Sequence, residues 1–194
     1  MSGLIREKIE QAFEILEETG LDCWMTFVRE TAVTPDPALQ FLVRSGLTWH
    51  SAFLISRSRT AVAIVGELDR AGVEDLGVYD RVIGYREGFA EPLSRELHKL
   101  APKQLAVNYS PVSEVCDGLT HGLFLTLEKV LGELNYSGEL VSSEPLLSRL
   151  RARKTAAEVE SMIRAIEETE EIFAGVGQFL KAGRSEREVA DFVL

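Results

Sequence analysis

Three short apolar runs in the first third of the chain constrain its fold most. The first, CWMTFV at 23–28, follows closely on Gly20, while AFLI at 52–55 and AVAIV at 61–65 are separated by a short polar stretch containing SRSR at 56–59. Such β-branched and aromatic runs are too short for buried helices and too continuous for half-exposed strands. They read as strands covered on both faces. The second and third are expected to be antiparallel neighbours, because so short a polar link makes a hairpin and cannot make a crossover.

Helices must then cover both faces of the sheet. Ile5, Ile9, Phe13 and Leu16 recur at helical spacing, and Gly20 supplies the left-handed residue that ends a helix over 4–19. Farther along, strands are expected over 78–83 and 105–107, with a helix over 90–100 between them that tolerates Pro92 in its first turn. A longer helix over 120–134 carries Leu123, Leu127, Val130, Leu131 and Leu134, and a last strand covers 139–142. An early hairpin followed by alternating strands and helices predicts an α/β fold, a three-layer αβα arrangement around a mixed sheet.

Charge excludes one class of partner. With 21 basic and 31 acidic residues the formal charge is −10, which repels a phosphate backbone and offers no basic stripe to follow one, so no nucleic acid is expected. No apolar run is long enough to span a bilayer, and the start of the sequence lacks the uninterrupted apolar core of a signal peptide. Cys23 and Cys116 are too few for a disulfide framework and sit among apolar residues. We expect a cytoplasmic protein with reduced, buried thiols and no membrane contact.

A new element begins after residue 150. The stretch 144–154 ends in a basic cluster containing Arg151, Arg153 and Lys154, read as a solvated or salt-bridged interdomain hinge. Thr155 and Glu158 then form a capping box. Val159, Met162, Ile163, Ile166, Phe173, Val176 and Leu180 keep helical phase until Gly183, which is expected to stop the helix. Ser185 and Glu188 form a second capping box, opening a helix that carries Val189, Phe192 and Val193. That helix reaches Leu194 without a C-terminal cap, so the expectation is that the natural polypeptide continues.

Few residues suggest chemistry on their own. Asp117 and His121 are four apart and would share a helix face, but one carboxylate and one imidazole are an incomplete metal set, and Asp117 or Thr120 suits the N-cap of the long helix. Arg29, Glu30 and Asp36 lead from the first strand into a loop with Pro35 and Pro37, where functional residues often sit, although a solvated loop accounts for them as well. His98 lies at a helix end, where a cation meets the dipole favourably. There is no HExxH, no CxxC and no GxGxxG after a strand.

The segments RARKTAAEVE at 151–160, IRAI at 163–166 and FLKAGRSEREVADF at 179–192 resemble the entry to the catalytic domain of the pita-bread metallopeptidases, the family of creatinase, prolidase and Xaa-Pro aminopeptidase. The AIVGELD segment at 63–69, NYS at 108–110 and DGLTHG at 117–122 extend the resemblance to the creatinase-type amino-terminal domain. Many members have Tyr-Leu-Thr-Gly where this chain has VRSG at 43–46. The resemblance implies a creatinase N-terminal, ribonuclease H-like domain over 1–150, followed over 151–194 by the first helices of a truncated pita-bread domain. It further implies a homodimeric Xaa-Pro peptidase acting on proline-containing peptides. Two divalent ions (manganese, cobalt or zinc) would be held by two aspartates, a histidine and two glutamates, all beyond Leu194. The chain itself would then hold no metal or catalytic residue and no peptidase activity.

In related dimers a loop equivalent to Trp49-His50 reaches over the partner's active site. The resemblance therefore makes Trp49 and His50, with Arg29 nearby, the substrate-gating candidates, although Trp49 could simply cover the edge of the strand that follows. A non-catalytic peptide-binding protein on the same scaffold, a creatinase-like amidinohydrolase, and a free-standing binding module are the alternatives.

Overall fold

The computed structural model describes residues 2–193. It divides into two compact units, residues 1–153 and residues 154–194. Among the described residues no helix is long and apolar enough to cross a membrane.

The first unit is built on a six-stranded sheet of order β4-β3-β2-β1-β5-β6. The strands are β1 (Cys23–Val28), β2 (Ser51–Ser56), β3 (Thr60–Gly66), β4 (Arg81–Tyr85), β5 (Gln104–Val107) and β6 (Glu139–Ser142). β2 runs antiparallel to both its neighbours, and the remaining pairs are parallel. The sheet is therefore mixed, with β2 as its one reversed strand.

Alternation along the strands divides the core in two. Trp24, Val28, Phe53, Ile55, Ala61, Ala63 and Val65 face α1 (Ser2–Thr19) and α5 (Glu144–Ala152). Cys23, Met25, Phe27, Leu54, Val62 and Ile64 face α3 (Ala90–Leu100) and α4 (His121–Glu133). Both cysteines are buried free thiols. The three-layer αβα expectation is met, because each central strand is apolar on both sides and needs helices on both.

Three local expectations need correction. The strand expected at 78–83 is β4, from Arg81 to Tyr85. Val78 and Tyr79 are apolar because they pack beneath a loop: Tyr79 Oη donates to Leu42 O at 2.5 Å, and its ring lies 5.7 Å from that of Phe53. Two helices were not anticipated, the short α2 (Arg70–Glu74) and α5, which buries Leu146, Leu147 and Leu150 and spans residue 150. Asp117 and His121 do not share a helix. Asp117 ends a 3-10 turn, whereas Thr120 caps α4 by accepting from Leu123 N, and His121 begins that helix.

Where α5 ends, Lys8 is buried from α1. Its Nζ donates to Leu150 O at 3.1 Å and to Arg153 O at 2.8 Å, placing a cation at the carbonyl end of the helix. Arg153 reaches back to Glu18 of α1 at 2.9 Å.

In the second unit, α6 (Ala156–Phe179) starts at a complete capping box, with Thr155 and Glu158 each accepting from the other's backbone N–H. The helix ends four residues before Gly183, at Phe179. Leu180 is already extended, and Gly183 (φ 95°) turns the chain toward the second capping box. There Glu188 Oε2 accepts from Ser185 N, and Ser185 Oγ accepts from Glu188 N, opening α7 (Glu186–Val193). The Phe179 and Phe192 rings stack at 4.5 Å, folding α7 back on α6. Neither helix has a buried residue. The expected uncapped end at Leu194 lies outside the described residues.

Candidate functional site

At the carboxyl ends of β1 and β4 an open cleft of ≈ 620 Å³ is lined by Arg29, Glu30, Thr48, Trp49, His50 and Tyr85, among others. Arg29 and His50 are 21 positions apart in sequence, yet the sheet makes them neighbours. Val28 pairs with Ser51 in the antiparallel β1–β2 ladder, so continuing the register sets Arg29 opposite His50. Glu30 then turns the chain sharply with a left-handed backbone (φ 44°), while Glu30 N and Thr31 N donate to Thr48 O and Leu47 O.

An aromatic cluster fixes His50. Its ring stacks on Phe27 at 5.7 Å and on Phe89 at 5.0 Å, and those two rings are 5.2 Å apart. Tyr85 Oη donates to His50 O at 2.7 Å. Burial, and after it the charge of Arg29, holds the imidazole below the usual histidine range. Burial and then Asp69 push the Tyr85 phenol up to about 12, so it remains a donor at neutral pH. His50 Nε2 is buried without a hydrogen-bond partner, and it is the only such side-chain atom among the described residues.

Trp49 is seated by the sheet. Parallel pairing of β3 with β4 places Gly66 beside Tyr85, and the Trp49 ring lies over that glycine, 5.8 Å from the Tyr85 ring. A Cβ on Gly66 would come within 2.8 Å of Trp49 Cε3. The residue thus covers the sheet surface over β3 and β4 and not the edge of β2, which is an interior strand, and at 37% exposure it also lines the cleft.

Asp36 does not behave as a solvated loop residue. It is buried in a polar hub centred on Asn108, just past β5. Asn108 Oδ1 accepts from Trp24 Nε1 (2.7 Å) and Ser143 Oγ (2.8 Å), and Asn108 Nδ2 donates to Thr26 Oγ1 (3.0 Å) and Asp36 Oδ2 (2.9 Å). All four hydrogen bonds an asparagine side chain commonly makes are formed. Asp36 Oδ1 also accepts from Ala38 N at 2.7 Å. Burial raises the Asp36 carboxyl above its ordinary range, against the pull of these two donors.

The hub pins the proline-bearing loop, the end of β5 and the start of α5 to one another. Sequence reasoning missed it because no local pattern joins Asp36 to Asn108, and it missed Tyr85, Phe27 and Phe89 as the supports of His50 for the same reason. Gly66, inside the AIVGELD segment, was the one local signal for the Trp49 seat. His98 is bound to its own helix, with Nδ1 2.8 Å from Ser94 O. Among the described residues no cluster of three or more His, Cys, Asp or Glu side chains could hold a metal ion.

No family model matches the sequence, and no curated protein matches it. Solved structures do match. A Xaa-Pro dipeptidase from Bacillus anthracis aligns with 97% of this chain and 47% of its own, at 18% identity and TM-score 0.66. A dipeptidase from Mycobacterium ulcerans aligns with 99% of this chain and 48% of its own, at 21% identity and TM-score 0.62. The creatinase/prolidase N-terminal domain of an X-Pro dipeptidase from Streptococcus pyogenes is covered over 98% of its length by 74% of this chain, at 15% identity and TM-score 0.54. The chain thus spans about half the length of the full-size structures it matches. Sheet order, helix placement and these likenesses agree: the first unit has the fold of a creatinase/prolidase N-terminal domain.

Proposed function

We propose that this chain is the amino-terminal part of a longer, homodimeric, cytoplasmic Xaa-Pro peptidase, with residues 1–150 forming the dimerisation and substrate-enclosing domain and residues 151–194 opening the catalytic domain. The observation that carries the reading is the cleft, where the sheet register gathers Arg29, Trp49 and His50 on the fold found in Xaa-Pro dipeptidase structures. A rigidly supported ring and a cation at one rim suit the enclosure of a proline-containing peptide. The exposed apolar residues of α6, including Met162, Ile163, Ile166 and Phe173, support a second unit that packs on further structure.

The chemistry would be supplied by two divalent ions on residues further along the polypeptide; within this chain the part played is to position substrate and exclude water. The test is peptidase activity of the longer protein on Xaa-Pro dipeptides and longer peptides with manganese, cobalt or zinc. Trp49→Ala should lower kcat/KM about tenfold, equivalent to about 1.4 kcal/mol, with metal content unchanged. Unchanged kcat/KM would remove the gating role. A longer protein lacking the aspartate, histidine and glutamate set would leave a peptide-binding protein on the same scaffold.

A further inference from the structure

We infer that the free edge of β4 is the surface through which two copies of this chain associate, the β4 strands pairing antiparallel across a twofold axis at Ile83 so that the two six-stranded sheets become one. The inference rests on the proposed dimerisation role of the first unit, and it adds the surface and the register.

The edge is open and its backbone groups are unspent. β4 ends the sheet, paired only with β3. Tyr85 O accepts from Glu67 N at 2.9 Å, so Tyr85 turns its backbone toward β3, and by alternation along the strand so do Ile83 and Arg81. Val82 and Gly84 therefore point their N–H and C=O groups away from the sheet, and among the described residues no other group bonds them there. Beside them runs an open groove of ≈ 650 Å³, lined by Ile83, Gly84, Arg86, Glu91 and Arg95 among others. Edge strands are ordinarily blunted by proline, lysine or a bulge. β4 has none of these: its sequence is RVIGY, its register with β3 is unbroken, and its one charged residue, Arg81, is drawn aside to Glu96 at 2.7 Å.

That the partner is a second copy follows from the order of the side chains. Outward-pointing residues must face outward-pointing residues of the incoming strand, and a twofold axis at Ile83 achieves this over the whole of β4. Val82 of each copy then faces Gly84 of the other, Arg81 faces Tyr85, and the two Ile83 side chains meet. Just beyond the strand the same register sets Asp80 of each copy opposite Arg86 of the other, and Arg86 is available for this, its contact with Glu67 being a long 4.0 Å. On the α3 side Glu91 and Arg95 line the groove, and a twofold copy presents the same two charges in reverse order. The opposite edge of the sheet lacks this self-complementarity. β6 is one residue shorter, and residues 137–145 carry Glu139 and Glu144 with no cation to face them.

The test is sedimentation equilibrium of the 194-residue chain from ~1 µM to ~1 mM, the range in which a small interface assembles. A species of twice the 21.5 kDa chain mass should form as concentration rises. Arg86→Asp changes a side chain that is 80% exposed, so the fold is spared, and it should raise the dissociation constant about tenfold. Val82→Pro removes an outward N–H and should weaken association at least as much. The register is read by a disulfide. A non-hydrogen-bonded antiparallel pair brings Cα atoms to about 4.5 Å, within disulfide reach, so Ile83→Cys should give a covalent dimer under oxidised glutathione. Glu139→Cys on β6 should give none, nor should the parent chain, whose Cys23 and Cys116 are buried. A dimer indifferent to Arg86→Asp and Val82→Pro and not linked at residue 83 would overturn the β4 edge, leaving the first unit to dimerise through another face. A chain that stays monomeric throughout, with no link at residue 83, would overturn both the edge and the dimerisation role.

Discussion

Gly118→Ala tests the buried hub most directly. Gly118 has no left-handed backbone, so alanine is locally permitted, but its Cβ would fall 2.2 Å from Asp36 Cγ and 2.2 Å from Asp36 Oδ2. Contacts between carbon atoms settle near 3.5–4.0 Å, so the carboxyl group must withdraw by more than ~1 Å. That movement breaks the 2.9 Å bond from Asn108 Nδ2 and the 2.7 Å bond from Ala38 N, leaving two buried donors unpaired. At ~1–3 kcal/mol for each buried unpaired group, part of it relieved by relaxation, the loss is about 2–4 kcal/mol. The entropy that alanine removes from the unfolded chain returns only ~0.4–1 kcal/mol. In an Asp36→Ala background the obstruction is gone, and the same Gly118→Ala change should be neutral or stabilising by up to ~1 kcal/mol. The coupling of about 2–4 kcal/mol far exceeds the ~0.5 kcal/mol scatter of independent sites. Urea unfolding in a Trp49→Phe background reads the cycle through Trp24 alone, whose indole N–H is bonded to Asn108. An equal cost of Gly118→Ala with and without the Asp36 carboxyl would refute the account of the hub.

Other perturbations address separate parts of the first unit. Gly66→Ala should unseat Trp49, costing ~1–3 kcal/mol by overpacking and shifting Trp49 emission to the red, as fluorescence of the folded chain would report. Lys8→Met should leave the carbonyls of Leu150 and Arg153 without their cationic donor and lower stability by ~1–3 kcal/mol in thermal unfolding. Glu96, almost fully buried, accepts from Arg81 at 2.7 Å and Lys99 at 2.6 Å. Burial pushes its carboxyl up, but these two donors and their charges outweigh it and hold the group below the usual range. The unfolded chain therefore binds the proton more tightly, so this stabilisation is present above about pH 4.3 and is lost as pH falls through the folded value. Glu96→Gln should cost ~1–2 kcal/mol at pH 7, the exposed cations being rehydrated, and progressively less in urea unfolding curves taken at successively lower pH below about 4.3.

What could be read from the sequence was what local chemistry decides. The central strands declared themselves because burial on both faces removes polar residues from 23–28, 52–55 and 61–65. The capping boxes at Thr155 and Ser185 declared themselves because each is a contact between residues three apart. α5 was hidden by its own basic end: Leu146, Leu147 and Leu150 carry a core-facing stripe, but the Arg and Lys residues after them suggested a hinge. Gly183 misled for a related reason, since a left-handed glycine can serve a turn as well as stop a helix, and the chain had already become extended at Leu180. Asp36 could not be read at all. Whether a carboxyl beside Pro35 and Pro37 is solvated or buried depends on Asn108, 72 residues away, and on a glycine without a Cβ at 118.

The hub and the cleft lie at the same end of the sheet, and the topology explains why. β1 has a parallel partner, β5, on one side and an antiparallel partner, β2, on the other. Beyond the carboxyl end of β1, chain leaving β1 and chain entering β2 remain paired, which carries Arg29 and His50 out together. On the other side the parallel register runs on past the ladder, bringing Thr26, Asn108 and Ser143 side by side across β1, β5 and β6. Crevices in open α/β sheets form where strand connections diverge in this way. The loop that carries Arg29 is therefore anchored twice, at Thr31 by the backbone of residue 47 and at Asp36 by the hub, while His50 is held from β1, β4 and Phe89. Side chains offered to a ligand from loops so fastened need little further ordering on binding, which lowers the entropic cost of association. A hub variant such as Gly118→Ala, which never touches the cleft, should for that reason lower the kcat/KM of the longer protein on Xaa-Pro peptides as well as stability, whereas Lys8→Met should reduce stability and leave kcat/KM unchanged.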